Sequence, residues 1–373
     1  MAIISSFGKV IIEFGAIRQL GAELAALGCE RPLLVTDKGL AEHGLIDKAM
    51  DALEDGQTGI PFGECPNHPI YAGVEAVTRA YKDNDCDVLV PMGGGSMIDT
   101  CKGASIMTGN PGSIGDYDRL NNKPVTGPAA PIVAIPTTAG TGSEVSRGAG
   151  IHPEVGRREI GVGGDFVLPK VAICDPELTY TLPPKLTAGT GMDALVHCME
   201  GFLSPNVNPV VDAIALDGIR RVVTYVERAV ADGSDKEARW HMMLAATQGG
   251  MAISKGLGIA HTLSMTLSDT PVHHGAVVTV AMPAVLRFLD GKVGDKLDRL
   301  AEVMSVPKGS EVAGAVEKLN DRIGIPNNFR GLGYEKNDID EMVEFSTPHW
   351  FNLTSPVKPT ADDFHKIIGE LLV

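Results

Sequence analysis

The sequence predicts two domains: an α/β domain over residues 1–183 and an all-helical domain over residues 184–373. Three observations carry this. A chain of 373 residues is long for a single hydrophobic core. Its first half alternates short β-rich runs with helical patterns, as a doubly wound sheet does. Beyond the proline-punctuated stretch Pro176–Pro184 the strand runs vanish. Helical patterns take over at 187–203, 209–231, 236–253, 275–290, 295–304, 310–323, 336–345 and 361–372.

Composition excludes several function classes. The net charge of −15 leaves no basic footprint for nucleic acid and disfavours an anionic membrane surface. No stretch approaches the roughly 20 apolar residues of a membrane span. Residues 1–15 lack a basic segment followed by a long apolar run, so no secretory signal is expected. Six cysteines (29, 65, 86, 101, 174 and 198) are scattered without a CxxC pair. That usage fits reduced thiols and a cytoplasmic location. Cys198 follows His197 and would point about 100° away from it on a helix, into the core.

The α/β half opens with strand runs at 9–14 and 32–35 around a helical pattern at 16–27. Asp37 follows the second run, at the strand end where such sheets bind ligands. A carboxylate there accepts hydrogen bonds from a ribose diol and repels a 2′-phosphate, which points to NAD over NADP. A helix N-cap is the alternative. Helices at 45–53 and 73–81 lead to a buried strand at 86–92 and then to Gly93-Gly94-Gly95-Ser96-Met97-Ile98-Asp99. A strand running into glycines and a helix, with Ser96 at the N-cap, makes a phosphate cradle of free N–H groups. It is neither a GxGxxG fingerprint nor a Walker loop. The next strand, 131–135, ends in Pro136-Thr137-Thr138-Ala139-Gly140-Thr141-Gly142-Ser143. Its hydroxyls suit ribose, amide or phosphate oxygens, or local caps. A β excursion follows over 151–175.

The helical half opens on Thr190-Gly191-Met192-Asp193-Ala194-Leu195-Val196-His197-Cys198-Met199-Glu200. Asp193 and His197 stand four residues apart and share one helical face. Alone they are either a solvated pair or half of a divalent-metal site. Histidines at 261, 273 and 274 follow.

These motifs, in this order and together with Asp175-Pro176-Glu177-Leu178, Gly256-Leu257-Gly258-Ile259-Ala260-His261 and His273-His274-Gly275, resemble the iron-containing (group III) alcohol dehydrogenases nearly end to end. The resemblance implies a dehydroquinate synthase-like fold, with an α/β nucleotide-binding domain and an all-α metal-binding domain. It implies an NAD(P)-dependent oxidoreductase with one divalent metal, Fe(II) or else Zn(II). The family's metal ligands map onto Asp193, His197, His261 and His274. Its cofactor contacts map onto Asp37, Gly93, Gly94, Gly95, Ser96, Asp99, Thr137, Thr138, Thr141 and Ser143. A homodimer is implied, and the N-terminal strand near Ile3–Phe14 is an edge that wants a partner.

Two positions depart from the family pattern. Met265 stands where many members carry a histidine thought to assist proton relay, and methionine cannot shuttle a proton. His273 or water would then serve. Glu159, or Arg158 with a one-residue shift, stands where a cofactor-contacting lysine is common. The expected substrate is a small primary alcohol or aldehyde. The runner-up is a short hydroxy acid such as 4-hydroxybutyrate, or an oxoacid-coupled transhydrogenation. His273 and Lys255 are the candidate catalytic or substrate-facing groups. Lys255 and Arg147 are either anchors for an anionic substrate or solvated charges, and Ile253 and Met265 would form an apolar wall. A carbon–oxygen lyase would want a more basic pocket in the helical half. A degenerate, nucleotide-binding homologue is the non-enzymatic alternative.

Overall fold

The computed structural model describes residues 7–121, 123–336 and 338–373. Residues 3–6 of the expected N-terminal strand lie outside them. The described chain divides into two compact units, residues 7–138 with 143–180, and residues 139–142 with 181–373.

The first unit holds β1 (Lys9–Ile12), α1 (Leu20–Ala26), β2 (Pro32–Val35), α2 (Lys38–Glu42), α3 (Leu45–Met50), β3 (Ile60–Phe62), α4 (Tyr71–Asp83), β4 (Val88–Gly93), α5 (Gly95–Gly109), β5 (Val133–Pro136), β6 (Gly148–Ile151), β7 (Ile160–Gly163) and β8 (Val171–Cys174). Six strands form a parallel sheet in the order β1-β8-β5-β4-β2-β3, and β6 and β7 pair as an antiparallel hairpin. The central strands are continuous apolar runs, buried along their whole length, because helices cover both faces. Alternate residues serve opposite faces. Leu33, Leu89 and Ala134 pack with Val74 and Val77 of α4 and Ile98 of α5. Leu34, Val90, Val133 and Ile173 pack with Leu20 and Leu24 of α1 and Leu45 of α3. Each such side chain contributes roughly 1.5–3 kcal/mol by leaving water. The register Met92↔Ile135 and Gly93↔Pro136 brings the glycine loop and the threonine loop out of neighbouring strands side by side. The Thr137 amide donates to the Gly93 carbonyl at 3.0 Å.

The second unit holds α6 (Pro184–Leu203), α7 (Pro209–Ala231), α8 (Lys236–Ala252), α9 (Ile259–Thr266), α10 (His274–Leu289), α11 (Lys296–Met304), α12 (Val312–Ile323), α13 (Ile339–Ser346) and α14 (Ala361–Leu371). Every residue of α6 from Thr187 to Leu203 is buried, so it is the unit's central helix. Pro184 at its first position needs no N–H partner. At its other end the Lys296 ammonium donates to the carbonyls of Phe202, Leu203 and Ser204 at 3.0, 2.9 and 2.8 Å, complementing the negative end of the dipole.

The expected fold class holds, and the differences have physical causes. The helix expected from residue 187 begins at Pro184, since proline is well suited to a first turn. The helix after β4 takes Gly94, in extended backbone, as its N-cap, so Ser96 sits inside the first turn rather than at the cap. Residues 259–266, which fall outside the expected helical patterns, form the short helix α9. Eight residues, half of them apolar, behind two glycines show no helical period of their own.

Close approach of backbones holds α6 in place. A Cβ on Gly201 would lie 2.6 Å from the Ala252 carbonyl oxygen. Gly→Ala inside a helix gains about 1 kcal/mol of propensity, but overpacking against backbone costs about 1–3 kcal/mol. Gly201→Ala is therefore expected to lower the Tm of the helical unit by several degrees in a calorimetric scan; an unchanged or raised Tm would show that this contact can relax.

Candidate metal centre and nucleotide cradle

The side chains of α6, α9 and α10 converge on one carboxylate oxygen. Around Asp193 Oδ1 stand His197 Nε2 at 3.7 Å, His261 Nε2 at 3.9 Å and His274 Nε2 at 3.8 Å. Asp193, His261 and His274 each present a ligand atom within 4.8 Å of the others. The rings of His197 and His261 stack at 4.7 Å and 18°, with their planes nearly parallel. Gly275 explains how His274 is seated. A Cβ there would fall 2.3 Å from the Gly189 carbonyl oxygen and 3.2 Å from Asp193 Cβ, so glycine lets α10 start against α6.

The group fits a divalent cation. Asp193 Oδ1 and His261 Nε2 are buried without a hydrogen-bond partner. An orphaned buried polar atom costs about 1–3 kcal/mol unless something satisfies it. A tetrahedral ion about 2.1 Å from each donor would hold donors about 3.4 Å apart, and the three imidazole nitrogens lie 3.7–3.9 Å from Asp193 Oδ1. One carboxylate with three imidazoles suits Fe(II) or Zn(II). Burial, with His261 beside it, pushes the His197 pKa well below its ordinary value, so the ring stays in the neutral form that binds metal. His274 leaves 44% of its side chain exposed, so the group can be reached by a small molecule.

Two residues at this centre carry no role in the sequence reading. Glu200, three residues after His197, accepts from His261 Nδ1 at 2.6 Å. Phe351 meets the His261 ring edge-on at 6.1 Å. Glu200 shares the helical face of Asp193 and His197, the one signal that could have marked it; nothing in the sequence marks Phe351.

In the α/β unit, Gly94 provides no side-chain cap, which leaves the first turn of α5 open for an anion. A Cβ on Gly93 would meet Met97 Cβ at 2.8 Å, and one on Gly94 would meet Thr138 Cγ2 at 3.2 Å. Asp37 caps α2 by accepting from the Leu40 amide at 3.0 Å. A carboxylate has a second oxygen, so a cap and a ribose contact are compatible. Asp99 and Ser143 are engaged with each other. Ser143 Oγ donates to Asp99 Oδ1 at 2.5 Å, and Asp99 Oδ2 accepts from the Gly150 amide at 3.0 Å. The fully buried Lys102 donates to Ser143 Oγ, Ser146 Oγ and the Gly148 carbonyl at 2.8, 3.1 and 2.8 Å. Burial pulls its pKa down to about 8. These bonds shape the loop that carries Thr137 and Thr138, while Thr141 lies in the segment counted with the helical unit.

Lys255, Arg147 and Glu159 are tied to partners of their own. Lys255 is not a solvated charge. It is 3% exposed and its ammonium pairs with Asp212. Arg147 pairs with Asp165 at 2.6 Å. Glu159 lies back over its own hairpin, 3.4 Å from His152 Nε2 and against Gly150. Met265 is buried in α9. His273, the N-cap of α10, rests over Gly189, one turn from Asp193; its Nδ1 is 3.1 Å from where a Gly189 Cβ would be.

Asp193→Asn and His261→Ala are each expected to take bound metal, assayed by plasma mass spectrometry after dialysis, from about one equivalent per chain to near zero. Lys255→Met is expected to lower stability and leave the metal in place. Full metal in both ligand variants would refute the ligand set.

Residues 8–176 match the family described as iron-containing alcohol dehydrogenase, and residues 187–372 match the C-terminal domain of the Fe-containing alcohol dehydrogenase family. The chain is 41% identical to a 4-hydroxybutyrate dehydrogenase of Cupriavidus necator, over 99% of this chain and 100% of that one. The crystal structure of a 1,3-propanediol oxidoreductase superposes with a TM-score of 0.92 at 31% identity, over 99% of this chain and 100% of the other. A sulfoacetaldehyde reductase from Bifidobacterium kashiwanohense, in complex with NAD+, gives 0.92 at 28% identity, over 100% and 98%. With both halves matched in order and relatives aligned along the full length, the chain belongs to the iron-containing alcohol dehydrogenase family.

Proposed function

We propose that this oxidoreductase transfers a hydride between NAD(H) and a small primary alcohol or its aldehyde, with a divalent metal, Fe(II) or alternatively Zn(II), held by Asp193, His197, His261 and His274. The observation that carries this is the Asp193 oxygen with three imidazole nitrogens around it at 3.7–3.9 Å. An ion there would polarise the oxygen of the alcohol or aldehyde as a Lewis acid. The residues of the α/β unit bind and orient the nucleotide. The α5 N-terminus with Gly93–Ser96 takes the phosphates, Thr137, Thr138 and Thr141 offer hydroxyls, and Asp37 selects NAD by repelling a 2′-phosphate. Support for NAD comes also from the NAD+ complex of the structurally similar sulfoacetaldehyde reductase. Met265 moves no proton, so His273, which stands beside the ligands over Gly189, is assigned the exchange with water.

A narrower reading of the substrate is favoured by the 41% identity to a 4-hydroxybutyrate dehydrogenase. 4-Hydroxybutyrate is itself a primary alcohol, so the chemistry is the same and only a carboxylate anchor is added. Lys255 and Arg147 are occupied by Asp212 and Asp165. The exposed Lys185 is the better anchor, because Lys185, Gly189 and Asp193 follow at four-residue steps on one face of α6, with His273 over Gly189.

A homodimer and a cytoplasmic location complete the proposal. β1 is the edge strand of the sheet, with β8 its one neighbour among the described residues. All six cysteines are free and buried, as in a reducing compartment. No helix among the described residues is long and apolar enough to cross a membrane.

An NADH-oxidation assay with added Fe(II), run across butanal, 4-oxobutanoate and simple ketones, tests the reading. Turnover is expected with the primary aldehydes and at least about tenfold slower with NADPH. If the substrate carries a carboxylate, Lys185→Ala raises KM for 4-oxobutanoate and leaves butanal unchanged. No turnover with any carbonyl, alongside nucleotide binding, would overturn the enzymatic proposal.

A further inference from the structure

Glu200 is a buried carboxylate outside the ligand set. It is 5% exposed and meets three donors. Its Oε2 accepts from the Gly258 amide at 2.8 Å and from His261 Nδ1 at 2.6 Å, and its Oε1 accepts from the Ala260 amide at 2.7 Å. Helix α9 has no side-chain cap of its own. Glu200, from α6, takes that place at the positive end of the α9 dipole. Gly258 leaves room for it, since a Cβ there would lie 3.0 Å from Glu200 Oε1.

We propose that Glu200 is the positioning residue of the metal centre, fixing the tautomer of His261 and the start of α9 in one set of hydrogen bonds. The inference rests on the metal reading above. Both Glu200 oxygens accept from backbone amides, so Glu200 is the acceptor of the third bond as well and the shared proton sits on His261 Nδ1. Nε2 then carries its lone pair toward Asp193 Oδ1, 3.9 Å away. The opposite tautomer would put a hydrogen on Nε2, where it would exclude a cation. A carboxylate behind a ligating imidazole also raises its basicity. Residues 193, 197 and 200 form one stripe on α6, so the helix that supplies two ligands also holds the third in place. Charge agrees with this arrangement. Asp193 and Glu200 are both buried, and among the described residues their ion-pair partners are histidines. A dication would balance the two carboxylates.

Glutamine at this position cannot replace all three bonds. Its amide has one accepting end, and whichever way it turns its NH2 meets a backbone N–H. Two measurements test the assignment. The first uses the metal-free wild-type protein with 15N-labelled histidine, whose long-range nitrogen–proton correlations report each tautomer. His261 is expected as the Nδ1–H form, and an Nε2–H form would overturn the proposal. The second is chelator competition with Co(II) on wild type and Glu200→Gln, alongside the Tm of each metal-free protein. Affinity per folded chain is expected to fall about 10–100-fold in the variant. A lower Tm with unchanged affinity would reduce Glu200 to a helix cap and overturn the positioning role. Failure of wild type to bind Co(II) would defeat the metal reading itself, and the tautomer measurement would still decide whether Glu200 orients the ring.

Discussion

Asp193 Oδ1 is a carboxylate oxygen enclosed in the helical unit with three imidazole nitrogens around it and no hydrogen-bond donor to satisfy it. A buried oxygen in that state is costly, and so is the buried, partnerless nitrogen of His261. Both costs vanish if a cation lies among them. The rest of the unit is consistent with that demand. Glycine at 275 brings α10 against α6 so that His274 can reach the group, and the His261 ring stacks on that of His197.

The scaffold for this constraint is α6. A helix buried from Thr187 to Leu203 cannot tilt without disturbing every neighbour, and its ends are held by Pro184 and by the triple contact of Lys296. Fixed in this way, it presents Asp193, His197 and Glu200 as one stripe. The α/β unit applies the same logic to a different ligand. Paired parallel strands end at Gly93 and Pro136, and the Asp99–Ser143–Lys102 bonds hold the loops that follow. Rigid elements carry each set of groups, as binding sites that depend on geometry require.

Much of this was legible in the sequence, because the signals were local. The Asp193–His197 pair follows from helical periodicity, the glycine run follows from its place after an apolar strand, and His274 is marked by the family resemblance, as the histidine before a glycine. What escaped depends on partners far along the chain. Glu200 sits in the same stretch as the ligands, yet its role is set by amides and a ring 58–61 residues later, on a helix too short to show a period. Lys255 reads as a solvated charge or an anchor because the sequence does not reveal Asp212, 43 residues earlier, as its partner. Ser96 was misplaced by two residues because extended backbone at Gly94 lets a glycine serve as the N-cap.

The proposed function makes hydride transfer depend on a single ion held by these four side chains. Anaerobic titration of metal-free protein with Fe(II), with NADH-dependent aldehyde reduction measured at each point, tests it most directly. Activity is expected to rise linearly and stop at about one equivalent per chain. Full activity before any metal is added, or a rise that continues without a break past one equivalent, would contradict it.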